Sequence, residues 1–332
     1  VKIAVFGAGA IGCFVAGMMA RAGLSPTLIA RGPMLDAVNA KGLTVKFEGA
    51  DFTVPLAASD DPVSVGPQDL VILTTKAHQI VGALPSIAPL IGPETLVMPA
   101  INGIPWWYCK GLSTPQTQAI AGLDLASCDP SGRINRLIPV EQVLGAVVYL
   151  AASIPEPGRV DTIGPKTLLI GDAGGANATM ARTVSELLSK SGFDAPVVDD
   201  IRAAVWTKLW GNVHSNPLSV ATMGTMEQIC KDPHVSDVSR RIMQETEAVA
   251  KAVGVSFSMT IEDRLVEGAE LGDFRTSMLQ DFDKARPIEL DAILGVVSEL
   301  GGHMGIETPA IDMLYAIVKM RATIAGCYEA PA

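Results

Sequence analysis

Near the start of the chain an apolar stretch, Lys2 to Phe6, runs straight into Gly7-Ala8-Gly9-Ala10-Ile11-Gly12, and small and apolar residues follow to Ala22. Few sequence features restrict a fold so tightly. A strand, a turn with glycine at its first, third and sixth positions, and then a helix is the opening of a βαβ unit in a parallel sheet. Gly7 makes the tight turn, Gly9 lets the backbone approach a pyrophosphate, and Gly12 lets the helix pack closely on the strand. The helix start, at Ala10 and Ile11, has free N–H groups for the phosphates. The pattern predicts a dinucleotide site at Gly7, Gly9, Ala10, Ile11 and Gly12.

The same stretch has a competing reading. No residue from Ile3 to Ala20 is charged, Lys2 precedes the run, and Ala20-Arg21-Ala22 imitates a signal-cleavage site. Hydrophobic residues make up 48% of the chain and the mean hydropathy is +0.34, so membrane segments have to be considered. The glycine spacing favours the nucleotide reading, and no other uncharged stretch is both long and apolar enough for a span. The expectation is a soluble, cytoplasmic protein that does not engage a membrane.

With 332 residues the chain is long for one ordinary core and suits two. Apolar runs at Lys2–Phe6, Pro26–Ala30, Leu70–Thr74 and Leu96–Ala100 alternate with helical patterns, as in a parallel sheet covered by helices. Val143–Ala152 and Lys166–Gly171 read as a later antiparallel pair. Long helical periodicity takes over after about residue 200, as in Val235–Val253 and Pro309–Ala325. The predicted fold class is α/β, an N-terminal Rossmann-type doubly wound sheet over residues 1–200 with a second, all-helical C-terminal domain over residues 201–332.

About twenty residues past the glycines, where an NAD-binding chain would place an acid on the ribose hydroxyl, this chain has Ala30-Arg31-Gly32. A guanidinium matches phosphate oxygens in a bidentate way, so Arg31 favours a 2′-phosphate and therefore NADP. The five cysteines and four histidines show no ligand spacing, which predicts neither a disulfide framework nor a metal. A net charge of −10 with dispersed Lys and Arg argues against nucleic acid as a partner.

In Val205–Met223 three polar residues, Lys208, Asn212 and Asn216, stand four apart in otherwise apolar surroundings. On a helix they share one narrow stripe. Pro217 directly after Asn216 is expected to kink that helix. The stripe reads either as a solvent face or as the wall of a cleft.

Taken together these residues resemble the ketopantoate reductase (2-dehydropantoate 2-reductase) family over nearly the whole chain. The glycine fingerprint with Arg31 resembles its NADP site. Thr75-Lys76-Ala77-His78-Gln79 resembles its Lys-Ala-x-Gln segment, which implies Lys76 and Gln79 near the nicotinamide end. Asn102-Gly103 is similar to its Asn-Gly turn, whose asparagine faces cofactor and substrate. Lys208, Asn212 and Asn216 match the family's general-acid lysine and two substrate-orienting asparagines, including the Asn-Pro-Leu that follows. Ser277-Met278-Leu279-Gln280-Asp281 and Arg286-Pro287-Ile288-Glu289-Leu290-Asp291 resemble two further segments. By that likeness Ser277 binds the substrate carboxylate and Glu289 contacts its hydroxyl side. On a straight helix those two would lie roughly 120° apart, so their convergence needs a break before Pro287, and Pro287 itself is a candidate helix start.

The resemblance implies NADPH-dependent reduction of a small-molecule 2-oxo acid to a 2-hydroxy acid, 2-dehydropantoate to pantoate in the family, and leaves a homodimer open. Two rivals remain: a β-hydroxyacid dehydrogenase, which also carries Lys-x-x-x-Asn on a helix, and a non-catalytic NADPH-sensing regulator. The chain departs from the family after Asn102-Gly103, where Ile104-Pro105-Trp106-Trp107-Tyr108 opens a longer segment reaching Gly145. Trp106 and Trp107 are expected to reshape the substrate pocket.

Overall fold

The structure is a computed structural model that describes residues 1–330. It divides into two compact units. The first takes Val1–Ile101 and Ile134–Arg202, and the second takes Asn102–Arg133 and the chain from Ala203 onward. A division into 1–200 and 201–332 therefore misplaces residues 102–133, which pack with the helical unit.

The first unit carries two sheets. Its elements are β1 (Ile3–Phe6), α1 (Ala10–Arg21), β2 (Thr27–Ile29), α2 (Gly32–Lys41), β3 (Leu43–Phe47), β4 (Ala50–Val54), β5 (Ala57–Ser59), α3 (Pro62–Val65), β6 (Leu70–Leu73), α4 (Ile80–Ile87) and β7 (Leu96–Pro99). After α5 (Arg133–Leu137) come β8 (Leu144–Ser153), β9 (Arg159–Asp172) and α6 (Ala178–Lys190). The main sheet has the order β5-β2-β1-β6-β7 and every pairing in it is parallel. The strand order reverses between β1 and β6, which makes the carboxyl ends of those two strands the switch point where such sheets bind ligands.

The second sheet, β4-β3-β9-β8, joins the antiparallel pairs β3–β4 and β8–β9 through parallel β3–β9. The pair expected at Val143–Ala152 and Lys166–Gly171 is present, but its second strand begins earlier, at Arg159, and carries an irregularity opposite Leu150–Ala151. α1 is buried from Gly12 to Met19, and Phe14, Val15 and Met18 share one core with Val5 and Ile72 of the main sheet and with Val45, Val160 and Leu168 of the second. Burial on both sides accounts for the absence of charge from Gly12 to Met19, and the helix's one charge, Arg21, comes in its last turn. Each such Val, Leu, Ile, Phe or Met side chain contributes roughly 1.5–3 kcal/mol when fully buried.

The second unit is helical, with no strand among its described residues. α7 (Ile201–Thr222) runs unbroken through Pro217, so the proline does not end the helix. It is followed by α8 (Met226–Lys231), α9 (Pro233–Ala252), α10 (Ile261–Glu270) and α11 (Ser277–Asp283), then a π-helical turn (Asp291–Gly295) that leads into α12 (Val296–Met304), and α13 (Pro309–Ile324). Trp210 stacks on Phe257 at a centroid distance of 4.3 Å, and its indole N–H donates to the Met243 carbonyl at 3.1 Å. Among the described residues no helix is long and apolar enough to cross a membrane.

Residues 102–133 form turns pinned to the helices of this unit. The Trp206 indole N–H donates to the Tyr108 hydroxyl at 2.6 Å in a buried, edge-on ring pair. The Glu299 carboxylate accepts the backbone N–H groups of Ala126 at 2.6 Å and Ser127 at 2.9 Å.

Candidate active site

In the first unit the glycine turn has the geometry that the fingerprint demands. Gly7 adopts φ +112°, and the Thr74 hydroxyl at the end of β6 donates to the Gly7 carbonyl at 2.7 Å. A Cβ on Gly12 would lie 2.0 Å from that carbonyl oxygen, so only glycine permits this approach of α1 to β1. A Cβ on Gly9 would meet nothing within 4 Å, which leaves open space over the start of α1. The first turn of α1 contains no acidic residue. Unpaired N–H groups without a nearby carboxylate suit a phosphate, so this end of the helix fits the pyrophosphate of a dinucleotide.

Arg31 is exposed and sits at the N-cap of α2, just beyond β2. Lys76 follows β6, the neighbour of β1, and its backbone N–H donates to the Gln79 side chain at 3.4 Å across a short 3-10 turn. Lys76 and Gln79 thus lie at the same strand-end edge as Gly7.

In the second unit the polar stripe of α7 meets two distant segments. Lys208 Nζ donates to Asn102 Oδ1 at 2.7 Å, and Asn102 Nδ2 donates to Glu289 Oε2 at 3.3 Å. An ammonium only donates and a carboxylate only accepts, so the two partners fix which way the Asn102 carboxamide faces. Lys208 is half-buried and Glu289 buried. Asn212 is half-buried and Asn216 buried along the same helix. The backbone carbonyl of Asn216 accepts the Ser219 hydroxyl at 2.7 Å, beside Pro217, which has no N–H to give the helix.

Ser277 is exposed at the first position of α11. Its neighbour Thr276 caps that helix and shares a 2.6 Å hydrogen bond with Ser219, three residues beyond Asn216. The break expected before Pro287 exists: α11 ends at Asp283 and Ala285 takes φ +50°. Pro287 does not start a helix, however. Helical geometry begins only around Leu290, so Glu289 stands just outside the helix and is not its third residue.

Sequence reasoning missed what holds Asn102 beside Glu289. Gly103 has φ +83°, and a Cβ there would fall 1.9 Å from the Ala292 carbonyl oxygen. The next N–H, of Ile104, donates to that oxygen at 3.0 Å. Ala292 belongs to the π-helical turn, in which the Val296 N–H reaches back five residues to Asp291, a feature that alternating apolar residues do not reveal. The Asp291 carboxylate accepts from the hydroxyls of Tyr315 at 2.5 Å and Tyr328 at 3.2 Å. Burial and the neighbouring carboxylate push the Tyr315 phenol well above its ordinary range, so it stays a donor.

Trp106 and Trp107 are among the largest fully buried side chains of the protein, together with Tyr108 and Trp206. The expectation that they reshape the pocket is overturned, because 1% exposure leaves neither indole a surface for a ligand. Cys128, also buried, donates to the Ile104 carbonyl at 3.0 Å. Burial first and the charge of Glu299 second raise its thiol far above the ordinary value, which makes it inert packing. Among the described residues no cluster of His, Cys, Asp or Glu is placed to hold a metal.

Comparison with known proteins bears on this arrangement. The profile described as "Ketopantoate reductase PanE/ApbA" matches residues 3–106, and its C-terminal counterpart matches residues 200–322. A 2-dehydropantoate 2-reductase of Mesorhizobium japonicum is 38% identical over 329 residues, covering 99% of this chain and all of the relative.

The chain belongs to the ketopantoate reductase family.

A candidate ketopantoate reductase from Ralstonia solanacearum MolK2 has a crystal structure that superposes with a TM-score of 0.92 at 36% identity, covering 98% of this chain and 99% of that one. A family ketopantoate reductase from Ralstonia eutropha JMP134 superposes with a TM-score of 0.82 at 28% identity over the same shares. Ketopantoate reductases are nicotinamide-dependent oxidoreductases, and the chain is an enzyme of that class. The lysine, asparagine and glutamate of the hydrogen-bonded chain fall on the motif positions by which the sequence resembled the family.

Proposed function

We propose that the protein reduces a 2-oxo acid to the corresponding 2-hydroxy acid with NADPH, 2-dehydropantoate to pantoate being the preferred reaction. The observation that carries the proposal is the Lys208–Asn102–Glu289 chain of hydrogen bonds. NADPH, when bound, supplies a hydride to C2 of the substrate. Negative charge then grows on the C2 oxygen, and a positioned ammonium stabilises it and gives it a proton. Lys208 is that ammonium. Asn102 holds it through a carbonyl oxygen, which fixes its place without taking its proton. Asn212 and Asn216 continue the polar stripe as carboxamides that orient the substrate, Ser277 binds its carboxylate, and Glu289 accepts from its hydroxyl side.

On the cofactor side, Gly7, Gly9, Ala10, Ile11 and Gly12 hold the pyrophosphate, Arg31 the 2′-phosphate, and Lys76, Gln79 and Asn102 the nicotinamide end. Support for NADPH over NADH comes from the exposed guanidinium of Arg31 in a β2–α2 junction that has no acid to grip a free 2′-hydroxyl.

The test is to follow NADPH consumption with 2-dehydropantoate and with a panel of other 2-oxo acids. The proposal expects turnover with at least one member and the highest kcat/KM with 2-dehydropantoate. Binding of NADPH with no reduction of any 2-oxo acid would sink the catalytic reading, and a strong preference for another acid would replace the substrate.

A further inference from the structure

Glu289 belongs to residues 286–289, a stretch between α11 and the next helical turn with no helix or strand of its own. Its backbone N–H and carbonyl groups must therefore find partners elsewhere. On one side of Glu289, the Ile288 N–H donates to the Cys327 carbonyl at 2.9 Å, and the Cys327 N–H donates back to the Ala322 carbonyl of α13 at 2.7 Å. Ile288 and Cys327 are both buried. The segment that follows α13 thus lies directly against the residue before Glu289.

On the other side stands Asp291, buried at the start of the π-helical turn. Its Oδ1 accepts two hydroxyls, that of Tyr315 on α13 at 2.5 Å and that of Tyr328 on the segment after it at 3.2 Å. Lys319 Nζ donates to the Tyr315 hydroxyl at 3.3 Å and lies 5.2 Å and 5.0 Å from the centroids of the Tyr315 and Tyr328 rings. The Tyr315 ring packs on the turn itself, where a Cβ on Gly295 would lie 3.0 Å from it.

We propose that Tyr315 and Tyr328 are positioning residues for the reaction, which act through Asp291 and, with the Cys327 carbonyl, hold Glu289 against Asn102. The inference rests on the reading of Glu289 as a substrate contact. Glu289 and Asp291 are two residues apart, at most about 7 Å of extended chain, so the place the hydroxyls give Asp291 is passed on to Glu289. Glu289 accepts from Asn102 and Asn102 from Lys208, so the placement reaches the ammonium as well.

A purely supporting role does not explain a carboxylate at this position. α13 already buries Ile311, Leu314, Val318 and Ala322, and a well-packed apolar residue in place of Asp291 would hold it without the desolvation that a buried charge suffers. What a charge with two aimed hydroxyls adds is direction. Charge-assisted hydrogen bonds are short and demanding in geometry, whereas apolar contact is non-directional.

The test is a cycle of single-turnover rates with NADPH and the acid that the parent reduces best. Tyr315→Phe and Tyr328→Phe, which lose one hydroxyl each, are expected to lower the rate at least about fivefold, as misplaced reacting groups do, with NADPH binding unchanged. In a Glu289→Gln background the same two changes should cost less than about twofold, because residues that act through a third lose their effect once it is replaced. Thr323→Val removes an exposed hydroxyl bond to the Lys319 carbonyl on the same helix and should leave the rate at the parent value. Tyr328→Phe, at a half-buried position, keeps the test readable if Tyr315→Phe unfolds. Phenylalanine variants that melt earlier but turn over like the parent overturn the inference, since the tyrosines then serve the fold alone. Equal losses with and without Glu289 also overturn it, by showing a route that bypasses that residue. A parent that reduces no 2-oxo acid fails one step earlier, ending the reading of the site and this inference with it.

Discussion

Gly103 lies so close to Ala292 that a single added carbon would come within 1.9 Å of the Ala292 carbonyl oxygen. That contact seats Asn102 beside Glu289, and the positive φ of Gly103 adds a second reason why no other residue fits. Gly103→Ala is expected to lose about 1–3 kcal/mol of stability through strain. It should also lower kcat at least about tenfold, since small misplacements of reacting groups are costly. Thermal unfolding and steady-state kinetics on the same preparation check both. Parent-like kcat in a destabilised protein would show that the turn supports the fold but not the site.

Removing the ammonium tests the mechanism itself. Lys208→Ala should lower kcat by about 10² to 10⁴, the loss usual for a general acid. Lys208→Arg should recover only part of it, because a guanidinium keeps the charge but does not readily release a proton. Single-turnover kinetics with NADPH binding confirmed by titration make the measurement. A rate within about threefold of the parent, well inside the range for a lost acid, would return the stripe to the role of a helix's polar face.

The cofactor preference is read at Arg31, whose side chain is exposed at the start of α2. Arg31→Ala should weaken NADPH by about 1.5–3 kcal/mol, the worth of a charge-assisted hydrogen bond, and leave NADH nearly unaffected. Equal losses for both cofactors would remove Arg31 from the phosphate site.

What the sequence disclosed was local. The glycine fingerprint, the strands flanking it and the aligned residues of α7 are legible because each follows from spacing within a few residues. The short strands β3, β4 and β5 escaped notice: β4, Ala50–Val54, is mostly exposed and lacks an apolar run. The placement of residues 102–133 also stayed hidden. It depends on Trp206 meeting Tyr108 across 98 positions of sequence, and no periodicity encodes such a pair. The two tryptophans near Asn102 misled for the same reason, since adjacency to a site residue in sequence says nothing about which way a large side chain turns.

Trp107→Ala should therefore cost about 3–5 kcal/mol, as loss of a buried aromatic does, and leave the ranking of 2-oxo acids unchanged. Denaturant unfolding and a substrate panel measured together decide the point. An altered ranking with little loss of stability would return Trp107 to the pocket.

Acid should weaken the fold through His214. Burial, reinforced by the charge of Arg264, pushes its pKa from 6.5 down to about 3, so the folded protein keeps the ring neutral. Between those values the unfolded chain binds a proton that the folded one refuses. Stability is therefore complete above about pH 6.5 and falls as pH drops toward 3, by up to about 1.4 kcal/mol per pH unit. In His214→Gln the fall in unfolding free energy between pH 7 and pH 5 should be smaller by about 2 kcal/mol. An unchanged slope would show that the ring is not held neutral.

The chain passes from one unit to the other three times, after Ile101, after Arg133 and after Arg202. The helical unit is therefore not a portable module. A gene cut at the last crossing would encode the lysine of α7 and the glutamate before the π-helical turn, but neither the asparagine that bridges them nor the tyrosine that receives the Trp206 N–H. Recombination between relatives at that junction would pair the α7 lysine of one parent with the bridging amide of the other. Chimeras of this kind would expose how far the two stretches have to match.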